Sequence, residues 1–199
     1  LIHSADPYSE ALTKELRTHA ASRGDVTFLE FPFDPAGTPD FRPALERAKA
    51  QGAQALIVFG LPPGIKSLVG QLAAAGWNRP VIGGVNINLT LDDFNKAGLK
   101  GGLWLVETES MRGELPHDGE AHQFREAYRA KFGDVPPFHA LYLADAFYFV
   151  AAAHRENPQR ELSELDRMGG VRQFQSASGL IQVNKDGTLR YEMRARKVR

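Results

Sequence analysis

Cysteine is absent from the 199 residues of this chain. Its absence excludes disulfide bonds, thiolate nucleophiles and zinc sites built on cysteine. A chain without cysteine is indifferent to the redox state of its compartment, so the composition permits an oxidising location without indicating one.

The chain also lacks net charge, because 24 Lys and Arg residues balance 24 Asp and Glu residues. Nothing in the overall charge would attract nucleic acid or an anionic membrane surface. The basic C-terminal stretch, 190–199, alternates with Tyr191, Met193 and Ala195, which is typical of a strand with one packed and one solvated face. No nucleic-acid partner is therefore expected.

Long apolar runs are missing as well. The most apolar segment, 140–153, is too short for a bilayer, which needs about 20 apolar residues, and Asp145 interrupts it. The segment predicts a helix that is buried on most sides. No signal peptide is visible at Leu1, and the opening residues resemble the end of a strand, so we expect sequence upstream.

Motifs for catalysis are absent too. The stretch "IVFGLPPGIKSLV" has three residues between Gly60 and Gly64 and places Ile65 before Lys66, whereas a phosphate-binding loop needs four residues and then lysine directly. Its two prolines also remove N–H donors that such a loop would use. The stretch instead predicts a turn that lines a ligand crevice, because the carboxyl ends of parallel strands form such crevices.

Other chemical signatures are equally lacking. There is no G-x-S-x-G turn for a nucleophilic serine. His117 and His122 are five residues apart, which does not match the spacing of two metal ligands on one helix face. We therefore expect no catalytic residue, no metal and no cofactor.

What the chain does contain, up to about residue 107, is an alternation of short apolar strands and helices. That alternation predicts an α/β fold, with a doubly wound parallel sheet covered by helices on both faces. Thr38 and Pro39 have the character of a helix cap and first-turn residue, and they predict that a helix begins there.

The pattern changes after Glu107. A polar loop at 111–119 precedes two consecutive helices and a third, shorter one. Two strands then follow, and Asp186-Gly187 between them is a strong hairpin signal.

The order of several motifs resembles the later part of the type I periplasmic solute-binding proteins. The branch is that of the leucine/isoleucine/valine-binding receptors of ABC transporters. The resemblance covers nearly the whole chain and is carried by the tyrosine after the first strand, the D-F helix start, A-A-G-x-x-x-P-V-I-G, F-x-x-x-Y-x-x-x-F-G and G-x-I-x-V-x-x-x-G.

This resemblance implies two α/β lobes that close on a small ligand. Residues 1–107 then form one ligand-binding lobe, to which 188–199 return. Residues 108–187 form part of the other lobe, which is helical and includes the start of the C-terminal hairpin. The sheet of that other lobe has no counterpart here, so we expect the chain alone to bind weakly and to associate as a homo-oligomer.

The resemblance also places ligand-contacting residues. Tyr8 occupies the position of an aromatic side chain that meets the ligand, with a core role as the alternative. Leu61 and Pro62 lie in the turn after the third strand. Phe138 falls near an aromatic lid, and helix packing explains it equally well.

The loop after the fourth strand departs from the family pattern. An acidic residue usually pairs there with the ligand ammonium, whereas this chain has Asn86 and Asn88. If the loop is extended, the two alternate and only one faces the ligand. A neutral amide cannot offset a charge buried in a closed cleft, which argues against an ordinary branched-chain amino acid.

The function that the resemblance implies is that of an extracytoplasmic, non-catalytic receptor of an ABC importer. Its partners would be an ABC permease and a small ligand: an amino acid, an amide or a small carboxylate. A cytoplasmic ligand-sensing regulator on the same fold is the alternative. An α/β enzyme is a third possibility, which the missing motifs disfavour.

Overall fold

The computed structural model describes residues 1–108, 119–159 and 161–198. Most of the polar loop expected at 111–119, including His117, lies outside these residues. Contacts between Cα atoms divide the chain into two compact units. One is Leu1–Val106 with Ala195–Arg199, and the other is Glu107–Arg194.

The first unit is built on a mostly parallel sheet, as the sequence predicts. Its strand order is β2-β1-β3-β4-β5-β9, and the four pairings from β2 to β5 are parallel. Its elements are β1 (Ile2–Ser4), α1 (Pro7–Arg23), β2 (Phe31–Phe33), α2 (Arg42–Ala50), β3 (Leu56–Phe59), α3 (Pro62–Ala74), β4 (Val81–Gly83), a 3₁₀ helix (Val85–Thr90), α4 (Leu91–Ala97), β5 (Leu103–Thr108) and β9 (Met193–Lys197).

One continuous apolar core fixes this sheet against its helices. In α3, Ile65, Leu68, Val69 and Leu72 are buried at the i, i+3, i+4, i+7 spacing of a single helix face. Each such side chain stabilises the fold by about 1.5–3 kcal/mol relative to leaving it in water. The core therefore holds the N-terminus of α3 in a defined position at the end of β3.

Helix α2 begins later than its sequence suggests. The expected start at Thr38 and Pro39 is wrong, because the helix starts at Arg42 and has Phe41 as its N-cap. The Phe41 backbone N–H donates to Gln71 Oε1 at 2.6 Å, and Gln71 Nε2 donates to the Pro39 carbonyl at 2.9 Å. The side chain of Gln71 in α3 thus forms hydrogen bonds at the start of α2, and the capping signal at Thr38 and Pro39 is not used.

The second unit combines helices with a small antiparallel sheet of order β6-β7-β8. The predicted hairpin is present, and Gly187 adopts φ 84° in its turn. Strand β6, which pairs with β7, was not predicted from the sequence. The elements are α5 (Gly119–Phe132), α6 (Phe138–Glu156), α7 (Glu164–Gly170), β6 (Gln173–Ser176), β7 (Gly179–Val183) and β8 (Leu189–Arg190).

The return to the first unit occurs later than residue 188. Leu189 and Arg190 still pair with Val183 and Gln182 of β7. The chain rejoins the first unit at Ala195. The hairpin therefore closes within the second unit before the chain leaves it.

Asp145 fastens α6 to the turn between β6 and β7. Its Oδ1 accepts a hydrogen bond from the Ser178 backbone N–H at 2.9 Å, and its Oδ2 accepts one from the Ser178 hydroxyl at 2.6 Å. Burial raises the pKa of Asp145, although hydrogen bonds from Ser178, Ser176 and Tyr191 oppose that rise. The residue that interrupts the apolar segment is thus a buried structural link.

The expectation that α6 is buried on most sides is wrong. One face packs into the second unit through Leu141 and Ala152, while Leu143, Phe147 and Val150 are 66%, 77% and 40% exposed. We call these last three residues the α6 stripe. Across the described ranges, none of the helices combines the length and hydropathy that a bilayer crossing requires.

Candidate functional site

The strand order of the first sheet reverses direction between β1 and β3. The chain runs from β1 outward to β2, and then crosses back to β3 on the other side of β1. In open α/β sheets, ligands bind at such a switch point, in the crevice outside the carboxyl ends of the strands. The segments after β1, β3 and β4 therefore define the candidate site, which we call the switch-point edge.

After β1, a compact set of polar groups starts α1. Asp6 is the N-cap, and its Oδ1 accepts from the Ser9 backbone N–H at 3.0 Å. The Ser4 hydroxyl donates to the Asp6 carboxylate and lies 2.9 Å from the Ser9 hydroxyl. Pro7 occupies the first turn, where a missing N–H costs nothing.

Tyr8 projects from this helix start. It is 50% exposed although its ring is apolar, so the core of the first unit does not enclose it. Partial burial raises the pKa of Tyr8, and the charge of Asp6 raises it further. Tyr8 therefore offers a neutral hydroxyl and an exposed ring surface close to the Asp6 carboxylate.

Asp6 itself stays ionised. Partial burial raises its pKa, but hydrogen bonds from Ser4, Ser9 and the Tyr8 backbone outweigh that effect, so the net pKa lies below its ordinary value. Asp6 was not among the site residues predicted from the sequence. Its position before a proline at a helix start was the available signal, since aspartate there is a typical N-cap.

The "GLPPG" turn after β3 has a packing explanation. Pro62 and Pro63 fill the first turn of α3, and Leu61 is the N-cap with 44% of its surface exposed. A Cβ on Gly64 would overlap the Phe33 ring, so glycine allows this close approach. Leu61 thus offers an apolar surface at the edge, and nothing in the turn is arranged for phosphate.

The loop after β4 is a 3₁₀ helix, so the extended alternation of Asn86 and Asn88 does not apply. The Asn86 side-chain amide donates to the Gly60 carbonyl at 3.1 Å. This bond links the segment after β4 to the turn after β3. Asn88 is half-buried and has an interaction of its own.

Tyr8 and Asn86 come together around one small hollow. Gly60, Gly84 and Ile87 contribute to its wall, and its volume is about 10 Å³. That is roughly the space of a single water molecule. The first unit alone therefore presents an open wall with a shallow hollow.

Larger hollows in the first unit lie elsewhere, and two of them stand out by their volume. One of about 470 Å³ runs along β2 and includes Phe31, Phe33 and Phe41. The other, of about 440 Å³, lies between α2 and the segment before β2. Neither is at the switch point, so we assign the site by topology and by the polar groups that converge there, and not by volume.

Phe138 belongs to the second unit. It is the first residue of α6, and its ring lies 3.7 Å from the His139 ring and 5.9 Å from the Tyr142 ring, measured between centroids. Tyr142 in turn lies 5.5 Å from Tyr191. Phe138 is thus part of an aromatic row, which agrees with helix packing and leaves the lid role a prediction.

Within the described ranges, no group of three or more His, Asp or Glu side chains is arranged to hold a metal ion. The polar groups at the switch-point edge are a carboxylate, hydroxyls and amides, which suit hydrogen bonding to an organic molecule.

Comparison with known proteins identifies the class to which this fold belongs. The model of a family described as periplasmic binding proteins matches residues 1–199. The chain belongs to the periplasmic binding protein family. Among curated protein sequences, no significant match is found.

Solved structures give the same fold. The leucine-binding protein LivK of Thermotoga maritima matches 99% of this chain with a TM-score of 0.80 and 18% identity, and 56% of its own length is covered. LivJ of Streptococcus pneumoniae with isoleucine matches 98% of the chain with a TM-score of 0.67 and 19% identity, over 59% of its length. A solute-binding protein of an ABC transporter from R. palustris, in complex with benzoate, matches 100% with a TM-score of 0.71 and 15% identity, over 54% of its length.

The chain thus spans a little more than half the length of these structures. At such identities the likeness establishes the fold and leaves the ligand open. The matched structures include a branched-chain amino acid transporter substrate-binding protein in complex with isoleucine and an ABC-transporter solute-binding protein in complex with benzoate.

Proposed function

We propose that this chain is the ligand-binding part of an extracytoplasmic receptor for an ABC importer. The receptor captures an amino acid, an amide or a small carboxylate between two closing lobes and delivers it to a permease. It performs no catalysis. Family membership supports the proposal, and the observation that carries it in this chain is the half-exposed Tyr8 at the switch-point edge.

The proposed contacts divide by chemistry. Tyr8 supplies a ring and a hydroxyl, Leu61 and Pro62 supply apolar surface, and Asn86 supplies a carbonyl oxygen while its amide group braces Gly60. Asn88 and Phe138 remain ligand contacts in the proposal. This mixture of apolar surface and a few polar groups is typical of sites for small organic molecules.

The test is calorimetry on the protein at its full natural length, with a panel of amino acids, amides and aliphatic and aromatic carboxylates. Binding of a panel member that Tyr8→Ala weakens would support the proposal, and Tyr8→Phe separates the ring from the hydroxyl. Phe132→Ala is a matched control, because Phe132 is an aromatic residue of the second unit that is 60% exposed. Absence of binding across the whole panel would contradict the proposal.

The 199-residue chain by itself should bind the same ligand weakly, because one wall of a closing site provides part of the affinity. Its exposed α6 stripe should favour self-association. Light scattering during gel filtration would show concentration-dependent mass for the wild type and a monomer for Phe147→Glu. Sub-micromolar binding by a monomeric 199-residue chain would contradict this expectation.

A further inference from the structure

The hollow of about 440 Å³ in the first unit lies at the amino ends of the strands, opposite the switch-point edge. Residues 25–29, before β2, line one side of it, and residues 53–55, before β3, line another. Leu1 also lines it, and Leu45 and Ala48 of α2 form part of its wall. Because β1 lies between β2 and β3 in the sheet, the hollow occupies the place directly N-terminal to β1.

The pairing of β1 with β2 runs toward this hollow. Ile2 pairs with Phe31 in a parallel register. One residue earlier, the Leu1 backbone nitrogen donates to the Leu29 carbonyl at 2.8 Å, and the Phe31 N–H donates to the Leu1 carbonyl at 3.0 Å. These bonds continue the evenly spaced ladder of a parallel strand pair. At the same register, the next four positions of the ladder lie opposite residues 26–29.

The segment before β2 has backbone groups that are open for such a ladder. Among residues 1–108, 119–159 and 161–198, the backbone N–H groups of residues 26–30 donate to no protein atom. The segment contains Val, Thr and Phe, which favour strands, yet β2 begins only at Phe31. A row of unpaired backbone groups is a template for a further strand.

We propose that this hollow is a strand slot, and that the four residues preceding Leu1 in the natural chain occupy it as the N-terminal part of β1. The occupant is extended and parallel to both neighbours, with a length of about 13 Å at about 3.3 Å per residue. Its side chains are mostly apolar, because parallel strands covered on both faces are near-continuous apolar runs. The proposal concerns the first unit and does not depend on the ligand of the switch-point edge.

A strand explains the hollow better than a small molecule does. Sites for small molecules place a few polar groups so that they converge on one ligand. Here the polar side chains of the lining, Thr27, Gln51 and Gln54, are exposed, and Asp25 is paired with Arg23 at 2.9 Å. The open polar groups belong instead to the backbone of an extended segment, where a neighbouring strand forms its bonds.

The experiment is amide hydrogen exchange, followed by NMR, on the 199-residue chain and on the protein at its full natural length. Successive N–H groups of a strand point to opposite sides, and the Phe31 N–H faces β1. The N–H groups of Leu29 and Thr27 therefore face the slot, whereas those of Phe28 and Glu30 face away. Exchange at Thr27 and Leu29 should be about tenfold slower in the longer protein, because each gains a hydrogen bond. Exchange at Phe28 and Glu30 should change little, which makes them controls within the same segment.

Two short extensions of the 199-residue chain separate strand pairing from the mere presence of more residues. Val-Thr-Val-Thr placed before Leu1 should slow exchange at Thr27 and Leu29, since these residues favour strands. Gly-Ser-Gly-Ser at the same place should slow it much less, because glycine loses more conformational freedom when it is ordered.

Three results would overturn the strand slot. The first is equal exchange at Thr27 and Leu29 in all of these proteins. The second is equal slowing at Phe28 and Glu30, because a general cover and not a strand would then fill the hollow. The third is protection in the 199-residue chain that rises with protein concentration, because a second copy would then be the occupant.

Discussion

The two units of the chain differ in how completely they bury their apolar side chains. Among the described residues, the first unit has one cluster of 17 buried hydrophobic residues, whereas the second has clusters of five and three. Helix α6 is apolar on two faces, of which one packs and the other, the α6 stripe, is exposed. The first unit thus carries a core of its own, while the second presents a surface suited to a further packing partner.

A pair of Leu→Ala substitutions tests the difference in burial between the two units most directly. Leu72 in α3 is 0% exposed and Leu143 in α6 is 66% exposed. Leu72→Ala should lower the free energy of unfolding by about 2–5 kcal/mol, because it removes buried surface and leaves a cavity. Leu143→Ala should change it by no more than about 0.5 kcal/mol. Urea denaturation of both variants, at a protein concentration at which the chain is monomeric, measures the difference.

Leu141→Ala serves as the control within α6, because Leu141 is only 1% exposed. It should behave like Leu72→Ala. An equal loss of stability in Leu143→Ala would mean that the α6 stripe is covered in solution, and the contrast between the units would fail.

The second prediction compares two exposed aromatic residues, Tyr8 in the first unit and Phe147 in the second. In the full-length protein, Tyr8→Ala should weaken ligand binding by about tenfold to a hundredfold, since a hydrogen bond in a closed site contributes about 1–3 kcal/mol. Its thermal midpoint should stay close to that of the wild type. Phe147→Ala should leave ligand affinity unchanged.

Calorimetry measures the ligand affinity of each variant, and a thermal melt on the same samples measures its thermal midpoint. If Tyr8→Ala binds like the wild type and melts much earlier, the tyrosine is a core residue and the site assignment is wrong.

The third prediction tests the close approach of two elements within the first unit. Gly64→Ala should destabilise the protein by about 1–3 kcal/mol, because the new methyl group would overlap the buried Phe33 ring. Gly70 lies on the same helix with no atom near its would-be Cβ. Gly70→Ala should stabilise the helix by up to about 1 kcal/mol. A stable Gly64→Ala variant would show that the ring can move aside.

These glycines also show what the sequence could and could not predict. The alternation of apolar strands and helices predicted the doubly wound sheet, because each segment's period is a local property of the chain. The role of Gly64 depends on Phe33, which lies far away in sequence, so no local pattern revealed it. The start of α2 was mispredicted for the same reason, since its capping partner is Gln71 of α3.

The candidate site, too, was predicted from the sequence only where it depends on local patterns. Sequence order placed Tyr8, Leu61 and Asn86 after β1, β3 and β4, and the sheet topology brings those strand ends to one edge. The 3₁₀ helix after β4 and the bond from Asn86 to Gly60 depend on tertiary contact and were not foreseen. Asp6 carried a visible capping signal, and it is the N-cap of α1 in the structure.

The last and smallest prediction contrasts one aspartate from each unit, because their pKa shifts have opposite signs. The pKa of Asp145 is raised above its ordinary 3.8, mainly by burial. Its folded state binds a proton more tightly than its unfolded state, so its contribution to stability is present below pH 3.8 and is lost as the pH rises toward the raised value. The pKa of Asp6 is lowered by its hydrogen bonds, which outweigh partial burial, so its contribution is present above pH 3.8 and is lost as the pH falls.

Urea denaturation from pH 3 to pH 7 measures both effects. Relative to the wild type, the stability of Asp145→Asn should increase as the pH rises, and that of Asp6→Asn should increase as the pH falls. Parallel profiles for the two variants would show that the environments of the two carboxylates do not differ in this way.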